Sequence, residues 1–240
     1  MGSLYHYQII ILNNMKHKNK IILDLCGGTG SWSKPYKDAG YDVRTLTLPD
    51  YDVERWREYP DLVELVRSNT VYGILAAPPC TMFSIARNDK TALEKRDLRK
   101  GMRTVNACLE IIHECLYDPH RISENSLQFW ALENPASGYL DRFLGSPVAV
   151  FDPSEYGDDH TKQTALWGMF NNPKKTHKSI GTKGNGQNFV KDVERYFSTK
   201  IHLIPVGYKA KTGLSMRTIV RSITPQGFAK AFYEANKLKK

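Results

Sequence analysis

The sequence predicts an α/β chain with a mostly parallel sheet and helices on both faces. Three stretches predict it. Residues 73–77 form an apolar run that suits a strand covered on both faces; Pro78 and Pro79 end it, because neither can donate a ladder hydrogen bond. Cys80 therefore falls just past a strand's C-terminal end. Residues 21–26 read as another such strand, followed by a tight turn through Gly27, Gly28 and Gly30 into a helix begun near Ser31. Residues 127–133 read as a third, with Glu133 at its edge before Asn134 and Pro135. Ligands of open α/β sheets bind beyond such edges.

The remaining elements follow in order. Residues 41–46 read as the second strand, and the chain continues through Leu48-Pro49-Asp50. Asp52 is placed to cap a helix over residues 53–57. Residues 81–100 form a long polar loop with Arg87, Lys90, Lys95, Arg96, Arg99 and Lys100, and loops of that length are commonly functional. Residues 101–116 repeat apolar side chains at helical spacing, giving a covering helix. A short helix at 139–144, a polar loop at 157–162 and a late strand at 163–168 precede a basic, loop-like interval at 171–211. That interval holds Lys174, Lys175, His177, Lys178 and Lys183, a composition that grips phosphates or simply solvates a loop. A helix over 224–237 closes the chain.

Composition narrows the class. A chain of 240 residues with 41% hydrophobic and 25% charged side chains buries an ordinary core. No apolar run reaches the roughly 18 residues of a membrane span. The apolar run at 4–12 lacks a basic leader and a small-residue cleavage site, so no signal peptide is expected. The four cysteines, Cys26, Cys80, Cys108 and Cys115, make no CxxC pair, which argues against a zinc site and a disulfide framework. Cys108 and Cys115 read as core, and a reducing compartment is expected. A net charge of +9 favours a polyanionic partner, nucleic acid foremost, although a basic soluble protein would show the same charge.

Four ordered stretches carry a resemblance. Pro78-Pro79-Cys80 with Phe83-Ser84 resembles the nucleophile loop of cytosine-5 DNA methyltransferases. Asp24-Leu25-Cys26-Gly27-Gly28-Thr29-Gly30 resembles their cofactor-binding glycine loop. Glu133-Asn134-Pro135 is similar to their glutamate motif, usually Glu-Asn-Val. Arg221-Ser222-Ile223-Thr224-Pro225 with Phe228-Ala229 is similar to a late structural motif. Together they cover most of the chain, and the overall look is that of the compact versions found in phage genomes.

The resemblance implies a Rossmann-like, S-adenosylmethionine-dependent methyltransferase fold. Its catalytic core would span 16–170, a small basic target-recognition segment 171–213, and a C-terminal helix returning to the core 214–240; residues 1–15 would be an N-terminal extension without assigned function. It implies Cys80 as nucleophile at cytosine C6 and Glu133 as general acid at N3. The family's Gln-x-Arg-x-Arg motif, whose arginine contacts the base carbonyl O2, is absent, and Lys162 is the nearest basic substitute. The cofactor would lie against Asp24, Cys26, Gly27, Gly28, Thr29 and Gly30, with Ser31, Trp32 and Pro78 beside them. Asp50 stands where an acid holds the ribose hydroxyls, and Asp52 where a carboxylate accepts from the adenine amino group. Ser84, Arg87, Lys174, Lys175, Lys178 and Lys183 would meet DNA.

The closing Gly-Asn motif that completes the family's cofactor pocket is not visible. The resemblance further implies a cytoplasmic, monomeric chain of a prokaryote or phage, free of metal and membrane. Taken alone, Cys80 also reads as a buried structural cysteine, the glycine turn as an ordinary strand-turn-helix and Glu133 as a surface acid in a turn. A silent nucleic-acid-binding module, a transferase on RNA or free nucleotide, and use of a modified sulfonium donor are the alternatives.

Overall fold

The computed structural model describes residues 17, 19–85, 95–117, 126–158, 160–180 and 200–239. Its centre is a six-stranded sheet in the order β2-β1-β3-β4-β6-β5. The strands are β1 (Ile21–Leu25), β2 (Asp42–Leu46), β3 (Val71–Ala76), β4 (Phe129–Pro135), β5 (Ala149–Phe151) and β6 (Thr164–Met169). β1 pairs in parallel with β2 and β3, and β3 with β4; β6 runs antiparallel to both β4 and β5. The mostly parallel α/β sheet expected from the sequence is therefore present.

Register decides where the strands deliver their ends. Leu25 pairs with Leu46 and Ala76, and Ala76 pairs with Leu132. Cys26 and Ala77 leave their strands at this level, whereas β4 runs on to Pro135, so that Glu133 stays in the sheet, paired with Leu166 of β6.

Alternation along the strands sorts the core into two layers. Leu23, Leu25, Ile74, Ala76 and Leu132 face one side, under α2 (Pro60–Arg67) and α3 (Leu98–Leu116). α3 sends Val105, Cys108, Ile111, Ile112 and Cys115 inward, the covering role its spacing predicted. Ile22, Leu75, Phe129, Ala131 and Leu166 face the other side, under α1 (Lys34–Asp38) and the last helix, Gln226–Asn236. That second layer is aromatic. Phe228 stacks on Phe151 at 3.5 Å between centroids, and Phe232 meets Trp32, Phe129 and Phe170.

Several boundaries differ from the sequence reading, each for a local reason. The helix expected near Ser31 begins at Lys34, because the Ser33 hydroxyl is spent on Asp24 and on the Gly30 carbonyl. The second strand begins at Asp42, since the Tyr41 amide turns back to the Tyr36 carbonyl. The covering helix starts earlier, at Leu98, where Asp97 caps the Lys100 amide. The chain's end is two helices. One is Met216–Ser222, capped by Ser215, and the second starts after Pro225. Within 171–213, residues 171–180 carry no helix or strand, while Tyr208–Thr212 is a short helix. With the short helix α4 (Asp141–Leu144) before them, these three are α5 (Tyr208–Thr212), α6 (Met216–Ser222) and α7 (Gln226–Asn236). No helix among the described residues is long and apolar enough to cross a membrane.

Candidate active site

The edge formed by the carboxyl ends of β1, β3 and β4 collects the chemistry. After β3, Pro79 enters a single 3-10 turn over Cys80–Met82, and the Cys80 carbonyl accepts from the amides of Phe83 and Ser84. Two prolines ahead and a tight turn behind give Cys80 little backbone freedom. Buried Asn134, next to Glu133, donates its amide to the Pro78 carbonyl at 3.1 Å and so ties the β4 loop to the thiol loop. A second tie runs through Ser84, which bridges to Gly138, while Tyr139 donates to the Phe83 carbonyl. Arg96 holds the carbonyls of Met82 and Ser84 and lies over the Tyr139 ring. Its guanidinium is thus a buttress of the thiol loop.

Cys80, Glu133 and Lys162 lie close enough to act on one another electrostatically. Burial is the main influence on Cys80 and pushes its thiol up; Lys162 draws it down, Glu133 adds to the rise, and Arg221 draws it down. Glu133 is likewise pushed up by burial and drawn down by Lys162. Lys162 itself donates to the Arg221 carbonyl at 3.2 Å. A narrow cleft opens beside Glu133 and Lys162, floored by Trp32 and Phe228 and walled by Thr224. Burial favours the neutral thiol and the neutral carboxyl, and the Lys162 cation opposes both, favouring the thiolate and the carboxylate.

Lys162→Met tests that balance. Without the ammonium, the pH dependence of Cys80 alkylation by iodoacetamide should move to higher pH, because the thiolate loses its counter-charge. An unmoved profile would separate Lys162 from the thiol.

The glycine loop builds a second subsite. Asp24 is fully buried at the end of β1 with Ser33 donating to one oxygen; burial pushes its carboxyl up to about 7, against that hydrogen bond. A Cβ at Gly27 would stand 2.2 Å from the Asp24 Cγ, so only glycine lets the loop close over this acid. Gly28 takes φ +57° and Cys26 φ +56°, a left-handed conformation that is uncommon for a side-chain-bearing residue. Ser31 is buried and accepts from the Thr224 amide at 2.8 Å, fastening the loop to the chain's last motif.

Four buried polar atoms of these loops lack a partner: Asp24 Oδ1, Thr29 Oγ1, Trp32 Nε1 and Asn134 Oδ1. Buried polar groups are ordinarily paired, so each of these atoms is open to a hydrogen bond from or to a bound polar group. Among the described residues, no group of three or more His, Cys, Asp or Glu side chains could hold a metal ion.

No family model matches the chain. No curated protein matches it either.

The other expected residues divide. Asp52 caps the 3-10 turn Val53–Glu58 by accepting from the Glu54 amide. Asp50 is exposed and paired with Lys211. Pro78 is buried, its carbonyl taken by Asn134. Lys174, Lys175 and Lys178 are exposed on a stretch that runs along the 3-10 turn Pro153–Tyr156 after β5, where Lys175 pairs with Glu155 at 2.7 Å. Arg87 and Lys183 lie outside the described residues.

The sequence reading gave no role to Asn134, Ser33 or Arg221. Asn134 carried a signal, its place beside Glu133 at a strand end. Arg221 stood only as the first residue of the late structural motif, and Ser33 carried no signal, because its partner Asp24 stands 9 residues away.

Proposed function

We propose that this chain is a cytosine-5 methyltransferase of DNA, with a Rossmann-like methyltransferase fold that uses S-adenosylmethionine. One observation carries the reading: a thiol, a buried carboxyl and a cation converge at adjacent strand ends, beside a glycine loop closed over a buried acid. Binding alone needs no such thiol and carboxyl.

The loop suits the cofactor. Asp24 Oδ1 is an unpaired acceptor for an ammonium group, and the glycine turn closes directly over this carboxyl. Asp24 and residues 27–32 would hold the amino acid end, and Asp50 and Asp52 the nucleoside end. When bound, S-adenosylmethionine supplies an electrophilic methyl group.

The chain's own residues do the rest. A cytosine inside a duplex hides C6, so the target base must leave the stack, at a few kcal/mol. Cys80 gives up its proton to water and its thiolate bonds to C6, breaking the ring's aromaticity and turning C5 into a nucleophilic carbon. Glu133 donates its proton at N3 and accepts from N4, neutralising the charge that attack places on the ring. Lys162 favours the thiolate and faces O2. After methyl transfer the C5 proton leaves to water or another weak base, Glu133 recovers its proton from N3, and the thiolate departs. The +9 charge and the lysines at 174, 175 and 178 support a polyanionic substrate.

Mass spectrometry of nucleosides from DNA incubated with protein and cofactor tests the reading. 5-Methylcytosine should appear, and should not appear with Cys80→Ser. Product in RNA or free nucleotide alone would move the substrate class; none in any of them would reject the transferase.

A further inference from the structure

One side of the glycine loop is covered by a part of the chain far away in sequence. The Tyr208 hydroxyl, on α5, lies 3.4 Å from where a Cβ on Gly28 would stand. One turn on, the Lys211 ammonium pairs with Asp50, after the end of β2. α5 thus touches both subsites proposed for the cofactor, the loop at one end and the ribose acid at the other. Tyr208 is half-buried there, and its hydroxyl is pushed up mainly by burial.

The helix is hung between two glycines. Gly207 takes φ +76° and Gly213 φ +66°, and neither would meet another atom within 4 Å if it carried a Cβ. Crowding does not require glycine at these positions; backbone rotation does. Both outer ends are fixed. Upstream, buried Lys200 pairs with Asp158 at 2.8 Å. Downstream, Ser215 caps α6, whose Ile219 and Val220 are buried. Between these anchors, the Lys211–Asp50 pair is half exposed on both sides, and exposed pairs hold weakly.

We propose that residues 207–213 form a hinged strap over the S-adenosylmethionine site, with Tyr208 as its cover and the Lys211–Asp50 pair as its latch. The strap gives the pocket a wall from within the basic segment, so the segment expected to meet DNA also controls cofactor exchange. This rests on the cofactor reading above.

Two measurements test it, one needing no cofactor. In the unliganded protein, Tyr208→Ala should raise amide hydrogen exchange at Gly28 and Gly30. In stopped-flow tryptophan fluorescence, the same variant should bind and release S-adenosylmethionine about tenfold faster, as expected when a lid limits exchange. Lys211→Met, an exposed change that spares the fold, should move both readouts the same way by less. Lys209→Met, exposed on the same helix, should move neither. Intact binding with unchanged exchange and rates in folded Tyr208→Ala and Lys211→Met overturns the strap alone. A wild-type chain that binds no cofactor, with Gly28 still protected by Tyr208, overturns the cofactor reading and the strap's role with it.

Discussion

Incubated with S-adenosylmethionine and DNA carrying 5-fluorocytosine, the protein should end as a covalent adduct that survives denaturing electrophoresis. Cys80 bonds to C6 and the methyl group arrives at C5, but the fluorine leaves no proton to remove. The thiolate then has no route out, and the adduct should map to the peptide holding Cys80. Omitting the cofactor should prevent trapping. Cys80→Ser should give none, because a serine hydroxyl is far less ionised than a thiol near neutral pH. Glu133→Gln should slow trapping by about a hundredfold or more, the usual range for losing a positioned acid. Burial raises the proton affinity of the Glu133 carboxyl and so favours the acid form that this step needs. If cofactor binds but no adduct forms on single-stranded or double-stranded DNA, the silent binding module becomes the better reading. Trapping on 5-fluorocytosine RNA alone would reassign the substrate.

Asp24→Asn should stabilise the protein and abolish cofactor binding. The carboxyl is held at about 7, against an ordinary 3.8. A raised carboxyl is easiest to fold around when protonated. Its contribution is complete below about pH 4 and is lost as pH rises through 7. At pH 8 the unliganded chain carries a buried, half-satisfied carboxylate, an unfavourable term on the order of a few kcal/mol. Asparagine removes that charge, so denaturation midpoints should rise at pH 8 and barely change at pH 4. Binding should respond the opposite way. An ammonium group needs the ionised acid, so wild-type affinity should climb as pH passes 7, with proton release visible by calorimetry in buffers of different ionisation enthalpy. Asp24→Asn should lose at least about a hundredfold in affinity, in line with removing one partner of a buried charge pair. Normal binding by the variant, or no gain in stability, would leave Asp24 as a purely structural acid. Gain of stability with loss of binding is the mark of a residue kept for function.

How much of this was legible before folding depends on the range over which each feature is decided. Pro78-Pro79 ended a strand because proline lacks an amide, and Gly27-Gly28 made a turn because glycine lacks a side chain. Those facts hold wherever the chain goes, so the ends of β1 and β3 and the place of Cys80 could be read directly. The helical spacing of α3 was local in the same way. The shortest elements, α4 and β5, carry too few residues to set a period; the first was read and the second missed. Site membership was settled at longer range. Register at Leu25, Ala76 and Leu132 lined up the strand ends, so Cys80 and Glu133 became neighbours across more than 50 residues of chain. Lys162 reached them because β6 runs against β4, so that its first residue, Thr164, lies beside the end of β4 at Pro135. Asn134 joined the two loops, and Tyr208 and Lys211 came to lie on the glycine loop and on Asp50. No spacing rule marks such residues, because their partners are chosen by packing and not by sequence distance. The types of chemistry available were written along the chain; which side chains share a cleft, and how far burial pushes their protonation, came only with the tertiary structure.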